Sequence, residues 1–387
     1  MWARLFGTES LFPMPRFSGD MDRNPGLWLA VSVIVVIFLA VQLGALALVE
    51  PLKGAGLQPV EDPQDPTNSL LYVLAILVMT GVMLVAFRYN VDWSIRGLIV
   101  LTGAYIAWIV FSMLLPPVVT LPVGGGVHGL AVFGAIALGI GLLVYPEWYV
   151  IDAAGAIMGA GAAGLFGITF GVFPALVLLS VLAVYDAISV YGTEHMLSLA
   201  SGVMDLNVPV VLVAPTTLGY SFIDDDGPMD GEPSDEDDTA DDGSSTTNDT
   251  ADDGSSTTND TADDELATGV DESHDADEER DPIEERDALF IGLGDAVVPT
   301  VLVASAAFFA PASVPTVGVG GFRTALPAVT AMIGTFVGLA ILLRMVLKGR
   351  AHAGLPLLNG GVIAGYLIGA LASGLSIVEA LGLAPYL

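Results

Sequence analysis

The chain of 387 residues is 53% hydrophobic and only 14% charged, with a mean hydropathy of +0.71, a composition typical of a membrane protein with several spans. It contains no cysteine, which excludes disulfides, thiolate zinc sites and cysteine nucleophiles. The formal net charge of −31 gives no reason to expect a nucleic-acid partner, and it is local, because 28 of the 43 acidic residues lie in one segment, 224–287.

Nine stretches of the chain are apolar over about 20 residues, the length of an α-helix that crosses a bilayer. In chain order they are roughly 27–49, 69–88, 97–115, 124–145, 149–170, 172–192, 288–310, 324–346 and 355–376. The first stretch is longer than the apolar core of a signal peptide, so we expect it to be retained as an anchor. The sequence therefore predicts an all-α polytopic membrane protein with nine transmembrane helices.

Lysine and arginine indicate the orientation of these helices, because cytoplasmic loops carry an excess of both. If the N-terminus is inside, the inner segments hold ten of the twelve basic residues and the outer segments hold only Lys53 and Arg323. We therefore expect a multi-pass protein of the cell membrane. Its N-terminus and acidic loop would be cytoplasmic and its C-terminus outside.

The segment between the sixth and seventh spans divides the chain. The predicted organisation is a cytoplasmic N-terminal segment at 1–26, helices 1–6 at 27–192, an amphipathic helix and a short strand at 193–222, an acidic loop at 223–282 and helices 7–9 at 283–387. The loop repeats "TADDGSSTTND" in tandem over 239–260, a composition that cannot bury enough apolar surface to fold, so we expect disorder. Its density of carboxylates indicates a halophilic protein.

Two carboxylates lie inside predicted spans, where a charge is expensive and usually functional. Asp186 lies six residues before the inner end of the sixth span and Asp295 seven residues into the seventh, so both are predicted to lie ~10 Å deep on antiparallel helices. Facing carboxylates at low dielectric share one proton and titrate as a coupled pair. This is the arrangement of aspartic proteases, in which the ionised member activates water and the protonated member polarises the scissile carbonyl. Glycines at 292 and 294 would let an extended substrate backbone approach.

Depth and pairing leave other functions open. A proton-coupled transporter that uses the two aspartates as proton carriers is the alternative, since a lone intramembrane aspartate often relays protons. Such transporters usually have internal repeats with broken helices in both halves, and spans 1–4 and 5–9 show no convincing repeat. A membrane scaffold that displays the acidic loop would leave both aspartates without a role.

The residues around both aspartates resemble motifs of a known family. Tyr185-Asp186 in the sixth span and Gly292-Leu293-Gly294-Asp295 in the seventh resemble the YD and GxGD motifs of the presenilin and signal-peptide-peptidase family. The order of a YD span, a large hydrophilic loop, a GxGD span and two further spans is also similar. The resemblance implies a presenilin-like fold and an intramembrane aspartic endopeptidase without metal or organic cofactor. Asp186 and Asp295 would be catalytic, supported by Tyr185 and by residues 292–294.

The family also carries a PAL motif at the start of its ninth span, beside the catalytic pair. Here the sequence reads "HAGLPLLNGG", and two alignments stay open. In one, Ala353-Gly354-Leu355-Pro356 stands in place of PALP, and in the other Pro356-Leu357-Leu358 stands in place of PAL. Either register gives a proline-broken helix start with free backbone groups beside the site. The predicted substrate-binding residues are Gly354, Leu355, Pro356 and Leu357.

The same resemblance implies the substrates: single-span membrane proteins in the lipid bilayer, with their N-terminus outside. It also implies an archaeal-type homologue, and it leaves homo-oligomers open. A helix must unwind before its backbone can be hydrolysed, so "VPVVLVAP" at 208–215 and the chain just before the seventh span would pair with the substrate by strand addition. Alternatively, 208–215 only covers the inner mouth of the bundle.

Other polar and small residues are expected to be structural. His128 and Asp152 lie near span ends, where exposure at the interface makes a polar group inexpensive. Asn359 is predicted to form a hydrogen bond between helices. The run "GAGAAG" at 159–164 is typical of close helix packing rather than a phosphate loop. The four histidines have no metal-site spacing.

Overall fold

A computed structural model describes residues 25–56, 65, 67–88, 92–121, 127–192, 211–221, 288–319, 321–347 and 353–384. These residues belong to one structural unit, which is mostly helical. The amphipathic helix predicted over 193–207 and the acidic repeat lie outside the described residues.

The described residues form ten helices and three two-stranded antiparallel sheets. The helices are α1 (Pro25–Ala55), α2 (Thr67–Arg88), α3 (Asp92–Leu114), α4 (Gly129–Val144), α5 (Trp148–Thr169), α6 (Val172–Gly192), α7 (Leu293–Phe308), α8 (Leu326–Val346), α9 (Gly354–Ala372) and the short α10 (Ile377–Ala380). The strand pairs are β1 (Thr120–Leu121) with β2 (Val127–His128), β3 (Val211–Pro215) with β4 (Ala288–Gly292), and β5 (Thr316–Val319) with β6 (Phe322–Ala325).

Several of the helices have the length and composition of membrane spans. Six of those in the described residues are long and apolar enough: α1, α3, α5, α6, α8 and α9. The apolar parts of α2, α4 and α7 are shorter. Large side chains on the helix surfaces, such as Leu71, Leu101 and Phe133, are more than 60% exposed, as expected where a surface faces lipid. The predicted helical membrane protein is therefore confirmed, while the number of nine spans stays a prediction.

Three predicted spans include strand residues before their helix begins. In the eighth, residues 324–325 belong to β6 and the helix begins at Leu326. The fourth helix begins at Gly129 rather than at 124, because residues 127–128 pair with β1. The seventh predicted span, 288–310, begins as strand β4 and becomes helical only at Leu293. A short apolar run does not distinguish a strand from a helix by periodicity, so the presence of a pairing partner decides. The prediction of a helix over the whole of 288–310 was wrong.

The partner of β4 is β3, which lies within the segment predicted to be a strand. Val211 pairs with Gly292 at one end of the ladder, and Pro215 pairs with Ala288 at the other. Non-helical backbone at membrane depth is tolerated only where its polar groups are paired inside the protein. The antiparallel ladder provides this pairing directly before α7.

Two clusters of apolar side chains hold the bundle together. One joins α6 to α9 through buried residues such as Leu179 and Leu302. The other joins α1, the β3–β4 sheet, α8 and α9 through residues such as Phe38, Leu212 and Leu339. The second cluster places the sheet in the interior of the bundle, against α1.

Helices α8 and α9 approach each other closely through glycine. A Cβ on Gly334 would collide with the carbonyl of Gly361, and a Cβ on Gly361 would collide with the carbonyl of Gly334. A Cβ on Gly338 would lie 2.5 Å from the carbonyl oxygen of Leu357. Small residues are favoured at such contacts because helix association in lipid depends on close van der Waals packing. This packing fixes the first turn of α9, which begins at Gly354.

Glycines of α5 provide the same close packing on the other side of the bundle. A Cβ on Gly161 would lie 2.6 Å from side-chain atoms of Ile106, and one on Gly164 would lie 3.4 Å from Leu48. A Cβ on Gly159 would lie 3.2 Å from Leu293, at the start of α7. The prediction that "GAGAAG" packs helices is confirmed.

Candidate active site

Asp186 lies on α6, six residues before that helix ends, and its side chain is only 7% exposed. Its Oδ2 accepts a hydrogen bond of 3.1 Å from the backbone N–H of Leu355. That N–H belongs to the first turn of α9, where the helix itself supplies no acceptor. Pro356 lies in this first turn, and the free N–H of Leu355 just before it is the donor to Asp186.

Asp295 is the third residue of α7 and is partly buried. The helix is preceded by Gly292, which has extended backbone angles (φ −62°, ψ 135°) and is the last residue of β4. The predicted depth, seven residues into a helix, was therefore wrong, because only two helical residues precede Asp295. The strand brings the chain to the site, and the helix begins there.

Both carboxylates lie at the first turn of α9. A Cβ on Gly354 would lie 3.3 Å and 3.4 Å from the two carboxylate oxygens of Asp295, while the next residue, Leu355, donates to Asp186. Of the two alignments of the PAL-like stretch, the one that sets Ala353-Gly354-Leu355-Pro356 against PALP has its two central residues in contact with the aspartates.

The electrostatics of this arrangement follow from helix ends and like charges. Two unit charges 4 Å apart repel by about 4 kcal/mol at an effective dielectric constant of 20. The N-terminus of α7 faces Asp295 and that of α9 faces Asp186, and each helix end stabilises a nearby negative charge by about 0.3–2 kcal/mol. The two helix ends together offset about 0.6–4 kcal/mol of such a repulsion. Two facing carboxylates that share one proton avoid it.

The two glycines of the GxGD stretch leave space beside Asp295. Gly292 and Gly294 are both exposed, and a Cβ on Gly294 would meet nothing within 4 Å. A Cβ on Gly292 would meet only the carboxylate of Asp295, at 3.7 Å. An extended peptide can therefore approach this side of Asp295 without meeting a side chain from either glycine.

The remaining predicted site residues occupy different surroundings. Tyr185 is 48% exposed on α6, so its ring is not buried in the site. Leu293 packs against α5 at Gly159, and Leu357 packs in the cluster that joins α1 to α8. Pro356 lies partly buried in the first turn of α9. Of the four predicted substrate-binding residues, Gly354 and Leu355 are the pair brought to the aspartates.

Two polar residues that were expected to be structural form specific contacts. The side-chain amide of Asn359 donates to the carbonyl of Leu179 at 2.9 Å, which confirms the predicted hydrogen bond between helices. Asp152 is 6% exposed rather than open to the interface, and its Oδ1 accepts the backbone N–H of Val213 in β3 at 2.8 Å. Sequence reasoning missed this contact, because 61 residues separate the partners and neither belongs to a motif.

Comparisons with known proteins agree on one family. The family described as signal-peptide peptidase, presenilin aspartyl protease matches residues 35–240 and 266–375. Two solved structures are each described as a presenilin family intramembrane aspartate protease, one in space group C222 and one in P2. The first has 29% identity and a TM-score of 0.54, covering 90% of this chain and 99% of that chain. The second has 29% identity and a TM-score of 0.52, covering 87% and 96%. No curated protein matches significantly.

Proposed function

Since the chain belongs to the family of signal-peptide peptidases and presenilin aspartyl proteases, it is an intramembrane aspartyl protease, and we propose that Asp186 and Asp295 are its catalytic dyad. The observation that carries the proposal is the meeting of both carboxylates at the first turn of α9, where the N–H of Leu355 donates to one and Gly354 lies beside the other. The alternative of a proton-coupled transporter has no support from the comparisons.

The proposed mechanism uses one shared proton. The ionised carboxylate takes a proton from a water molecule as the water oxygen attacks the scissile carbonyl carbon, while the protonated carboxyl donates to the carbonyl oxygen. A tetrahedral diol results. When it collapses, the carbon–nitrogen bond breaks and the amine nitrogen takes a proton from the protonated carboxyl. One hydroxyl of the diol gives its proton to the other carboxylate, so a carboxyl group that contains the water oxygen leaves and the dyad again holds one proton.

We propose that the substrate adds to the sheet as a strand beside β4. The outer edge of β3 is covered, because α1 and α5 pack there and Asp152 accepts the N–H of Val213. Among the described residues this sheet has two strands, β3 and β4, so a further strand would add beside β4. Since β4 ends at Gly292, three residues before Asp295, a strand paired along it would deliver its backbone to the dyad.

The natural substrates are proposed to be single-span membrane proteins with their N-terminus outside. The substrate orientation is inferred by analogy with the family from the orientation of this chain, which depends on the bias of lysine and arginine towards its predicted cytoplasmic segments. A cytoplasmic N-terminus, a dependence on high salt and an archaeal source belong to the same proposal. The chain has no cysteine, so a single cysteine introduced at either end and labelled from one side of intact cells would test the orientation of this chain.

The decisive experiment is cleavage of a labelled single-span substrate in detergent at high salt. Wild type should cut within the span, and Asp186→Asn or Asp295→Asn should each lower the rate by about 10²–10⁴-fold, the usual contribution of a positioned acid or base. Glu50→Gln removes an exposed carboxylate from α1 and is the matched control, expected to cut normally. Folding of each variant is checked by thermal unfolding. Equal cleavage by all four proteins would refute the dyad.

A further inference from the structure

The backbone of β3 is anchored to α5 by a buried carboxylate that the proposed reaction does not use. Val213 is the central residue of β3, and its N–H donates to Asp152 rather than to β4. In an antiparallel ladder, alternate residues direct their N–H groups away from the partner strand, and Asp152 occupies one of these. Its second oxygen, Oδ2, is buried and has no hydrogen-bond partner among the described residues. Among the described residues, Asp152 therefore forms its hydrogen bond with the backbone of Val213 in β3.

Two further contacts hold the chain that follows β3. Ser221 donates its hydroxyl to Oε1 of Glu147 at 2.9 Å, and Glu147 is the residue that precedes the first turn of α5 and is only 7% exposed. Gly26 of α1 lies so close to Thr216 that a Cβ would be 2.6 Å from its carbonyl oxygen. Residues 211–221, the β3 segment, are thus fixed to α1 and α5 at three points.

The position of the β3 segment affects the position of the dyad, because the two are connected through the β3–β4 ladder. Val211 pairs with Gly292, and Gly292 is the residue from which α7 begins. Asp295 follows three residues later. A shift of β3 along its axis therefore moves β4 or breaks the ladder, and either change moves the strand edge to which a substrate would pair. A slip of one residue would also turn every side chain to the opposite face.

We propose that Asp152, with Glu147, is a positioning residue that sets the register of the β3–β4 sheet and so determines which peptide bond of the substrate faces the dyad. The inference rests on the proposed function. Asp152 acts through Val213 and the ladder and has no contact with the aspartates of the dyad among its described hydrogen bonds. A change at Asp152 should therefore alter the position of cleavage more than the rate of cleavage.

The test compares substitutions that keep or remove the acceptor. Asp152→Asn keeps a carbonyl oxygen for the N–H of Val213, whereas Asp152→Leu has a similar size and no acceptor. Ala153→Leu introduces the same side chain at the neighbouring exposed position of α5 and is the matched control. Ser221→Ala removes the hydroxyl that donates to Glu147 without opening a cavity in the core. The cleavage products of each protein are identified by mass spectrometry, and kcat and KM are measured on one single-span substrate.

The expected result is a change of cleavage position that depends on the acceptor. Wild type, Asp152→Asn and Ala153→Leu should share one main cleavage position, and their kcat values should agree within about twofold. Asp152→Leu should spread or shift the cut by one or more residues, and Ser221→Ala should do so to a smaller extent. An unchanged position in Asp152→Leu would overturn the proposal, as would an Asp152→Asn variant that behaves like the leucine variant. If Asp152→Leu fails to fold, an unchanged position in Ser221→Ala overturns it.

Hydrogen exchange separates this proposal from the proposed function. Peptides that cover 211–215 and 288–292 should exchange roughly tenfold faster or more in Asp152→Leu than in Asp152→Asn, because without an acceptor the buried N–H of Val213 has no hydrogen bond and the ladder opens more often. Equal exchange would overturn the anchoring role even if the protein cleaves. If exchange is faster in Asp152→Leu but wild type cleaves no substrate, the protease function is contradicted and the anchoring role stands.

Discussion

Gly354 offers the sharpest test of the site, because its missing side chain defines the space beside Asp295. A Cβ there would lie 3.3 Å and 3.4 Å from the two carboxylate oxygens and 3.4 Å from Cδ2 of Leu342. These distances are slightly shorter than ordinary van der Waals contact, so alanine should displace the carboxylate by ~0.3 Å. If a misplacement of 1 Å lowers the rate about 100-fold, this displacement lowers kcat about fourfold. Valine carries carbon atoms ~1.5 Å farther out, and a displacement of that size should lower kcat by about three orders of magnitude on the same scale.

The assay is steady-state cleavage of a single-span substrate, with kcat and KM measured separately for Gly354→Ala and Gly354→Val. The matched controls are Gly360→Ala and Gly360→Val, since Gly360 lies on the same helix, is exposed and would meet nothing within 4 Å with a Cβ. Both controls should keep the wild-type kcat. If Gly354→Val and Gly360→Val cleave equally well, Gly354 does not lie beside the catalytic carboxylate and the reasoning fails.

Other predictions concern packing and caps. Gly361→Ala places a methyl group against a backbone carbonyl of α8 and should lower the unfolding temperature of the purified protein by a few degrees, since overpacking costs about 1–3 kcal/mol, whereas Gly360→Ala should not lower it. Asn359→Leu removes the hydrogen bond to α6 and should lower the unfolding free energy by about 0.6–1.7 kcal/mol in a denaturation assay; an unchanged value would contradict this role. Hydrogen bonds from the backbone N–H and hydroxyl of Ser376 lower the pKa of Glu379, so this cap stabilises the fold above the unfolded pKa and is lost as the pH falls through the folded pKa. Ser376→Ala should raise that pKa towards its ordinary value in an NMR titration, and no rise would exclude the hydroxyl as a donor.

Features that depend on local composition could be predicted from the sequence. A helix needs a run of suitable residues and satisfies its own backbone, so the sixth span was predicted at 172–192, the bounds that α6 has. The same logic indicated glycine packing at 159–164 and the hydrogen bond of Asn359, since a polar or small residue in an apolar helix has few other uses. Two lone aspartates in consecutive spans pointed to the site for the same reason.

Features whose hydrogen-bond partners lie far apart in the chain could not be predicted in this way and depend on the folded bundle. "ALFIG" at 288–292 suits a helix as well as a strand, and it is a strand because β3 supplies its partner. Asp152 is a strand anchor because Val213 folds back onto α5. The positions of Gly354 and Leu355 beside the two aspartates depend on where α9 begins relative to α6 and α7. Local periodicity specifies helices because their backbone bonds close within a few residues, whereas a strand or a carboxylate without a local partner is specified only when the whole bundle assembles.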